Sequence, residues 1–188
     1  MDSYAHTVRW IWSLWYLYWI AAAFGTKKTV RSESWLSMLW QRSFLAPGYA
    51  LLFVPVTWAG LGTFWLPPND YIKVFGVGLC VLGLGYCVWA RRILGTNWSG
   101  IVTLKKDHEL VQSGPYAYSR HPIYTGLLCA SLGLVLEEGA LRAVLGFILV
   151  AISFHIKMRT EERFMGAQFG STYTVYSAKV KKLVPFVY

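Results

Sequence analysis

Five runs of apolar residues, separated by polar segments, dominate the pattern along the chain. They cover residues 8–24, 44–66, 71–90, 123–136 and 140–156. A membrane-spanning helix needs about 20 apolar residues, so the second and third runs are long enough and the first is adequate with some tilt. The fourth run is short, and a tight Glu-Glu-Gly turn leads directly into the fifth. We therefore predict an all-α bundle with about five spans, of which the last two form a short helical hairpin.

Shorter patterns refine this prediction on the N-terminal side. Residues 30–44 place Trp and Leu opposite Ser and Gln at helical spacing, which favours a separate short helix in the membrane interface. Pro55 predicts a kink within the second span. In the third run, Gly76 and Gly83 share a helix face, as do Gly78 and Gly85, which predicts close helix packing on both faces.

The C-terminal part continues the helical pattern beyond the membrane. The fifth helix is expected to extend past residue 156 and to stop at Gly170, a residue typical of helix C-termini. Tyr173 and Tyr176 then indicate a further short helix. No repeat or domain break is evident, so we expect one domain, in which residues 1–90 supply N-terminal membrane helices and residues 91–188 form the working half.

Residues 107–126, DHELVQSGPYAYSRHPIYTG, interrupt the apolar pattern with a long polar stretch. The stretch is rich in His, Tyr, Gly and Pro and lacks the low complexity of a linker. It is therefore the first candidate for a functional site, together with the polar part of the fifth helix.

Composition supports a membrane protein and gives it an orientation. Of 188 residues, 55% are hydrophobic, and the formal net charge is +9. The basic residues cluster after the first, third and fifth apolar runs, whereas the opposite connections are acidic. This positive-inside pattern predicts an outside N-terminus, a cytoplasmic C-terminus and a cytoplasmic site. It explains the positive charge by topology and contact with membrane lipids, so no nucleic-acid partner is expected.

Cysteine and histidine spacing suggests neither disulfides nor a metal site. Cys80, Cys87 and Cys129 all lie in apolar runs and show no Cys-x-x-Cys or Cys/His spacing. The first run is rich in Trp and Tyr and has no small-residue cleavage site, so we do not expect it to be a cleaved signal peptide.

The chemistry of the polar stretch indicates an anion-binding helix start. Pro122 suits the first turn of a helix, whose free N–H groups form a positive end, and Arg120 adds to it. His121 and Tyr124 are three residues apart and are expected to face the same side. Upstream, Gly114 allows a close backbone approach.

Residues on either side of this helix start complete a candidate ligand site. Leu110 and Val111 offer an apolar wall and backbone amides, and Tyr116 offers a flat ring. Glu161 or Glu162 would bind sugar hydroxyls or an ammonium group. The set suits a zwitterionic nucleoside with a carboxylate, an ammonium, a ribose and an adenine, although each residue alone also fits a cap, a turn or a solvated face.

Residues 94–185 resemble the isoprenylcysteine carboxyl methyltransferase family, integral membrane enzymes that use S-adenosylmethionine. The resemblance rests on LGTNWSG, HELVQSGPYAYSRHPIYTG, EERFMGAQFGSTYTVY and the closing LVP, in that order. It implies a cofactor enclosed by the polar stretch, the hairpin and the C-terminal helix. The candidate cofactor-binding residues, from the chemistry above and the resemblance together, are His108, Leu110, Val111, Gly114, Tyr116, Arg120, His121, Pro122, Tyr124 and Glu161.

The resemblance also implies methyl transfer to a lipophilic or lipidated acceptor presented from the membrane. The family has an arginine four residues before the pocket glutamate, thought to hold the substrate carboxylate, but this chain has Lys157 there, with Arg159 nearby. A carboxylate acceptor needs no base, whereas an amine or phenol would, and Glu162 is the candidate base. The candidate catalytic residues are thus Lys157, Arg159 and Glu162.

Two other functions share parts of this pattern. Membrane reductases of the sterol type, which bind NADPH, also carry an Arg-His-Pro-x-Tyr element, although the chain is short for such a bundle. A non-catalytic membrane scaffold is the third alternative. Substitution of His121 or Glu161 would leave ligand binding unchanged in a scaffold but not in either enzyme.

Overall fold

Six α-helices and one small sheet make up the structure, a computed structural model that describes residues 3–24, 26–27, 29–105, 109–185 and 187–188. The helices are α1 Ser3–Ala23, α2 Trp35–Phe53, α3 Asp70–Leu94, α4 Pro122–Glu138, α5 Leu141–Phe169 and α6 Ser171–Lys179. The strands are β1 Thr29–Ser32 and β2 Thr103–Lys105, which pair antiparallel. The predominantly helical prediction is confirmed, and the two-stranded sheet is an addition that the apolar pattern did not predict.

Close glycine contacts join α3 to α4. A Cβ atom placed on Gly83 would lie 2.4 Å from the carbonyl oxygen of Gly126, and one on Gly76 would lie 2.6 Å from that of Gly133. Only glycine permits such an approach of two helix backbones. The predicted packing is confirmed for Gly76 and Gly83. It is wrong for Gly78 and Gly85, since a Cβ at either would meet no described atom within 4 Å.

The hairpin between α4 and α5 follows the prediction. Gly139 has a left-handed conformation, with φ of 62°, and its N–H donates to the Val135 carbonyl at 3.0 Å. Arg142, buried at the start of α5, donates to the Leu51 carbonyl at 2.8 Å and pairs with Glu138. The hairpin is thereby fastened to the C-terminal end of α2.

The boundaries of α2 differ from the prediction. Residues 35–44 do not form a separate interfacial helix, because they are the first half of α2, which is capped by Ser34. The helix ends at Phe53, so Pro55 does not kink a span. Val54 is extended, as expected for residues close before a proline, because the ring disfavours the helical conformation ahead of it.

Within the described residues, two helical segments are long and apolar enough to cross a membrane, Asp70–Asn97 and Leu141–Phe169. They include α3 and α5, and α5 extends well beyond the predicted apolar run. It stops at Gly170, which has φ of 51°, and the short helix α6 follows, both as predicted. Tyr173 and Tyr176 of α6 are buried. The two apolar segments support the prediction of a membrane protein.

A buried glutamate holds the small sheet against α2. Glu33 accepts hydrogen bonds from Gln41 and from Ser37 through Oε2, both at 2.6 Å. Its other oxygen accepts the backbone N–H of Val102 at 3.2 Å, and its own N–H donates to the Val102 carbonyl at 2.9 Å. The loop before β2 is therefore anchored from one side by a carboxylate that no sequence motif had indicated.

Candidate functional site

A large cavity lies where the polar stretch, α5 and α6 meet the N-terminal helices. Its volume is about 830 Å³, which is the size of small-molecule and cofactor sites. One end is lined by polar residues of α4 and α5 and by residues 109–111. The other extends along α1 and α2 and is largely aromatic; its ring-bearing residues are Trp12, Trp15, Tyr16, Trp19, Tyr49 and Phe53.

At the polar end, His121 lies between two carboxylates. Its Nδ1 is 3.3 Å from an oxygen of Glu161, and its Nε2 is 3.4 Å from an oxygen of Glu162. Its ring stacks on Tyr124 with 5.6 Å between ring centroids. Tyr124 in turn donates to Glu161 at 2.5 Å. The start of α4 and the polar part of α5 are thus joined by direct side-chain contacts.

Burial and the carboxylates act on the pKa of His121 in opposite directions. Removal from water disfavours the charged imidazolium, but hydrogen bonds and Coulomb attraction to Glu161 and Glu162 outweigh this effect. The pKa of His121 is therefore raised above its ordinary value. A protonated ring has a donor for each carboxylate, which fits the observed geometry.

Arg120 is tied to groups outside the cavity. Its Nε and Nη2 donate to Glu162 at 3.0 and 2.7 Å, and its Nη1 donates to the carbonyls of Ser177 and Val180. Lys182 contacts the other oxygen of Glu162 at 2.8 Å. The Glu162 carboxylate is thus shared by Arg120, Lys182 and His121, and it is held as a structural anion.

Backbone hydrogen bonds join the segment after α6 to the start of α4. The N–H groups of Arg120 and His121 donate to the carbonyls of Lys181 and Lys182 at 2.9 and 3.1 Å. Thr125 donates through its hydroxyl to the Leu183 carbonyl at 2.8 Å. These hydrogen bonds help to hold His121 in place.

Lys157 marks the boundary between the polar and aromatic parts of the cavity. Its Nζ donates to the Gly100 carbonyl at 2.8 Å and lies 5.7 Å above the ring of Tyr124. That ring also stacks on Phe154, with 4.9 Å between centroids. An ammonium group has three donors, so the bond to Gly100 leaves further donors for a ligand.

Leu110, Val111 and Tyr116 line the cavity. Tyr116 is buried, and its carbonyl accepts the hydroxyl of Tyr176 at 2.7 Å. Burial, reinforced by Glu161, raises the pKa of Tyr116, and burial raises that of Tyr176 to about 12. Both phenols are neutral near pH 7 and act as hydrogen-bonding groups and apolar surface.

Several predicted residues do not reach the cavity. Arg159 is exposed on α5, and neither it nor Glu162 is part of the cavity lining. Gly114 has φ of 58°, as its turn requires, but it packs towards Ile93 and does not line the cavity. His108 lies outside the described residues. The lining does include Arg120, His121, Pro122, Tyr124, Lys157 and Glu161.

Some residues that build the site carried little signal in the sequence. Residues 101–103 line the cavity, and Lys182 contacts Glu162 beside the start of α4. The LVP element near the C-terminus was the sequence feature that placed the segment after α6 with the site. The role of Glu33 in anchoring residue 102 had no such indication.

The fold and the site define a largely α-helical protein with apolar helices and a cavity of cofactor size between its N-terminal helices and its C-terminal half. The model of the isoprenylcysteine carboxyl methyltransferase (ICMT) family matches residues 76–167, which contain most of the polar end of the cavity. This part of the chain, just under half of its length, is similar to the family.

Individual proteins are similar to the chain as well. A Protein-S-isoprenylcysteine O-methyltransferase from Schizosaccharomyces pombe is 38% identical over 96 residues, which cover 50% of this chain and 41% of that protein. The Protein-S-isoprenylcysteine O-methyltransferase B of Arabidopsis thaliana is 27% identical over 169 residues, 88% of this chain and 83% of that one.

A solved structure shares the fold. It is the structure of a eukaryotic intramembrane Ras methyltransferase, ICMT. It matches with a TM-score of 0.61 and 23% sequence identity. The match covers 84% of this chain and 55% of that chain. The chain spans about half the length of two yeast relatives that it matches. It covers 41% of the Schizosaccharomyces pombe protein and 49% of the Protein-S-isoprenylcysteine O-methyltransferase from Saccharomyces cerevisiae.

Proposed function

We propose that the protein is an S-adenosylmethionine-dependent methyltransferase that acts on a lipophilic carboxylate presented from the membrane. The observation that carries this proposal is the shape of one continuous cavity. Its polar end carries Glu161, His121 and Tyr124, its other end is aromatic, and Lys157 stands between them. A polar cofactor and a membrane-soluble acceptor would each find a matching half.

The polar half fits the cofactor by charge and shape. The Glu161 carboxylate lines the cavity, and a carboxylate attracts the ammonium and sulfonium cations of S-adenosylmethionine. The carboxylate of the cofactor would meet protonated His121 and the N–H groups at the start of α4, where Ile123 and Tyr124 line the cavity. When bound there, S-adenosylmethionine supplies an electrophilic methyl group.

The adenosine part of the cofactor suits the neighbouring wall. Leu110 and Val111 offer apolar contact, and the neutral ring of Tyr116 lies beside them. This wall is continuous with the polar end, so one extended nucleoside ligand would contact both.

Lys157 is the cation best placed to orient an acceptor carboxylate. It lines the cavity, whereas Arg159 is exposed and Arg120 is bound to Glu162. An ionised carboxylate is already a nucleophile, so Lys157 would act by positioning it, and the surrounding rings would exclude water.

The same geometry disfavours acceptors that must lose a proton. Glu162 was the candidate base, but its carboxylate contacts Arg120 and Lys182 and lies outside the cavity lining. A carboxylate stabilised by two cations is a weak base. A carboxylate acceptor therefore fits this site better than an amine or a phenol.

Similarity to the ICMT family supports a methyltransferase over the two other functions. An NADPH-dependent reductase of the sterol type would share only the Arg-His-Pro-x-Tyr element, and a scaffold would not need a cavity of about 830 Å³ with charged walls. The charge pattern of the chain supports five spans, an outside N-terminus and a cytoplasmic site within a single domain of residues 1–188.

The direct test is transfer of a labelled methyl group. Purified protein in lipid nanodiscs would be incubated with labelled S-adenosylmethionine and a membrane extract, and base-labile label in the lipid fraction would indicate a methyl ester. Glu161→Gln serves as the inactive control. Binding of S-adenosylhomocysteine would be measured by calorimetry, and failure to bind it, with NADPH bound instead, would refute the proposal in favour of a reductase.

A further inference from the structure

Glu33 is a buried carboxylate outside the cavity lining, with 5% of its surface exposed. Its Oε2 accepts the hydroxyl of Ser37 and the side-chain amide of Gln41, both at 2.6 Å. Its Oε1 accepts the backbone N–H of Val102 at 3.2 Å. Removal of a carboxylate from water is costly, and these three donors offset the cost. The two oxygens thus hold α2 on one side and the segment before β2 on the other.

The segment before β2 carries the carbonyl that binds Lys157. Residues 98–102 form neither helix nor strand, so their position depends on the groups that anchor them. Val102 is anchored twice by Glu33, because the backbone N–H of Glu33 also donates to the Val102 carbonyl at 2.9 Å. Two residues earlier, the Gly100 carbonyl accepts the Nζ of Lys157 at 2.8 Å. Glu33 is therefore connected to the Lys157 ammonium through a short stretch of backbone.

A second route joins the same two residues through α2 and α5. The hydroxyl of Ser153 donates to the Gln41 carbonyl at 2.8 Å, and both side chains are buried. Ser153 lies one helical turn before Lys157, so the two share a face of α5. Gln41 in turn donates to Glu33. The contacts close a ring that contains both Glu33 and Lys157, which makes the position of each dependent on the other.

A lysine that binds a carboxylate benefits from such support. Its ammonium is a point charge on a flexible four-carbon stem, so its own geometry does not fix its place. The bond to Gly100 uses one of the three donors of Lys157 and leaves two for a ligand. A displacement of about 1 Å at a substrate-orienting group lowers a rate by as much as about a hundredfold. The place of the Gly100 carbonyl therefore decides where a carboxylate is held.

We propose that Glu33 is a positioning residue for the acceptor, which holds the Gly100 carbonyl and thereby sets the place of the Lys157 ammonium. This inference rests on the proposed methyl transfer, in which Lys157 orients the acceptor carboxylate, and it adds a determinant of specificity outside the cavity. Glu33 acts on recognition of the carboxylate and not on the apolar part of the acceptor or on the cofactor.

Two probes of equal chain length test the proposal. Tetradecanoic acid carries a carboxylate, and tetradecan-1-ol carries a hydroxyl group in its place. Dissociation constants would be measured in nanodiscs of zwitterionic lipid with S-adenosylhomocysteine present, at about pH 8.5, well above the ordinary pKa of a carboxyl group. The preference for the acid is the ratio of the two constants. Comparison of each variant with wild type removes differences in how the probes partition into lipid.

Glu33→Gln should reduce this preference selectively. A carboxamide has one accepting oxygen in place of two, so either Val102 or the pair of Ser37 and Gln41 loses its acceptor. Binding of the acid should weaken about tenfold, and binding of the alcohol should change less than about twofold. Glu33→Asp, which keeps the charge but is one methylene shorter, should give a loss in the same direction and provides a second measurement.

A double-mutant cycle shows whether Glu33 acts through the lysine. Lys157→Met should remove the preference for the acid, and addition of Glu33→Gln should have no further effect on that preference. Two controls should keep the wild-type preference. Gly76→Ala, whose Cβ would lie 2.6 Å from the Gly133 carbonyl, disturbs the packing of α3 on α4 and controls for a general loss of stability. Asp70→Asn, at an exposed acidic residue of α3 outside the cavity lining, controls for removal of a carboxylate.

Four results would overturn the role of Glu33: no preference of wild type for the acid, an unchanged preference in Glu33→Gln, equal weakening of both probes, or effects of Glu33→Gln and Lys157→Met that add. Binding of S-adenosylhomocysteine, measured on the same samples, would still support the methyltransferase in each case. Conversely, the predicted dependence on Glu33 without binding of S-adenosylhomocysteine would support the positioning role and refute the methyl donor.

Discussion

Tyr124 donates its phenolic hydrogen to Glu161 at 2.5 Å, and this bond joins the first turn of α4 to the polar part of α5. The bond fixes the orientation of the Glu161 carboxylate, which lines the cavity, whereas Glu162 does not. The position of the carboxylate proposed to bind the methyl donor therefore depends on a tyrosine from another helix.

Removal of this hydroxyl is the first prediction. Tyr124→Phe should weaken binding of S-adenosylhomocysteine about tenfold, because a hydrogen bond to a charged group is lost and Glu161 is no longer oriented. Calorimetry on purified protein measures the effect. Tyr118→Phe, at an exposed tyrosine outside the cavity lining, should bind as wild type. Equal affinities of all three proteins would contradict the role of Tyr124.

Two adjacent glutamates should have different roles. Glu161→Gln removes a charge that lines the cavity and should abolish detectable cofactor binding. Glu162→Gln removes the partner shared by Arg120 and Lys182 and should mainly lower the unfolding temperature, since two partly buried cations lose their counter-charge. Thermal unfolding and ligand titration of both variants check this contrast. A Glu162→Gln protein of unchanged stability would argue against the structural role.

The raised pKa of His121 predicts a pH dependence of stability. Protonation favours the folded state, so its contribution is complete below the ordinary pKa of 6.5 and is lost as pH rises through the higher folded-state value. The unfolding temperatures of wild type and His121→Asn should therefore converge as pH rises above about 6.5. Parallel curves over this range would show that His121 is not charged in the folded protein.

The two candidate cations on α5 can be compared directly. Lys157→Met should reduce methyl transfer at least about a hundredfold while S-adenosylhomocysteine binding changes little, because the acceptor and not the cofactor is lost. Arg159→Met should have less than about a twofold effect, since this side chain is exposed outside the cavity. A larger effect of Arg159→Met than of Lys157→Met would reverse the assignment.

Glycine substitutions on α3 test the helix packing. Gly83→Ala places a methyl group 2.4 Å from the Gly126 carbonyl and should destabilise the protein by about 1–3 kcal/mol. Gly85→Ala meets no described atom within 4 Å and should be neutral or stabilising by up to about 1 kcal/mol, as alanine favours the helix. Thermal unfolding of the two variants measures the difference. Similar losses for both would contradict the packing of α3 on α4.

The amino-acid sequence by itself determined the features that depend on local pattern. The polar stretch, the short α4, the turn at Gly139 and the end of α5 at Gly170 follow from apolar period, turn residues and helix caps, which act over a few positions. The sequence also made His121, Tyr124 and Glu161 candidate ligand-binding residues, because these residue types suit a charged nucleoside ligand.

Only the tertiary structure decided which residues of each element reach the cavity. Periodicity cannot show that Glu161 lines it while Glu162 is bound by Arg120 and Lys182, since the two glutamates are adjacent in sequence. The start of α2 at Trp35 and the sheet held by Glu33 likewise depend on long-range contacts. These contacts join residues far apart in the chain, and local patterns carry no information about such pairings.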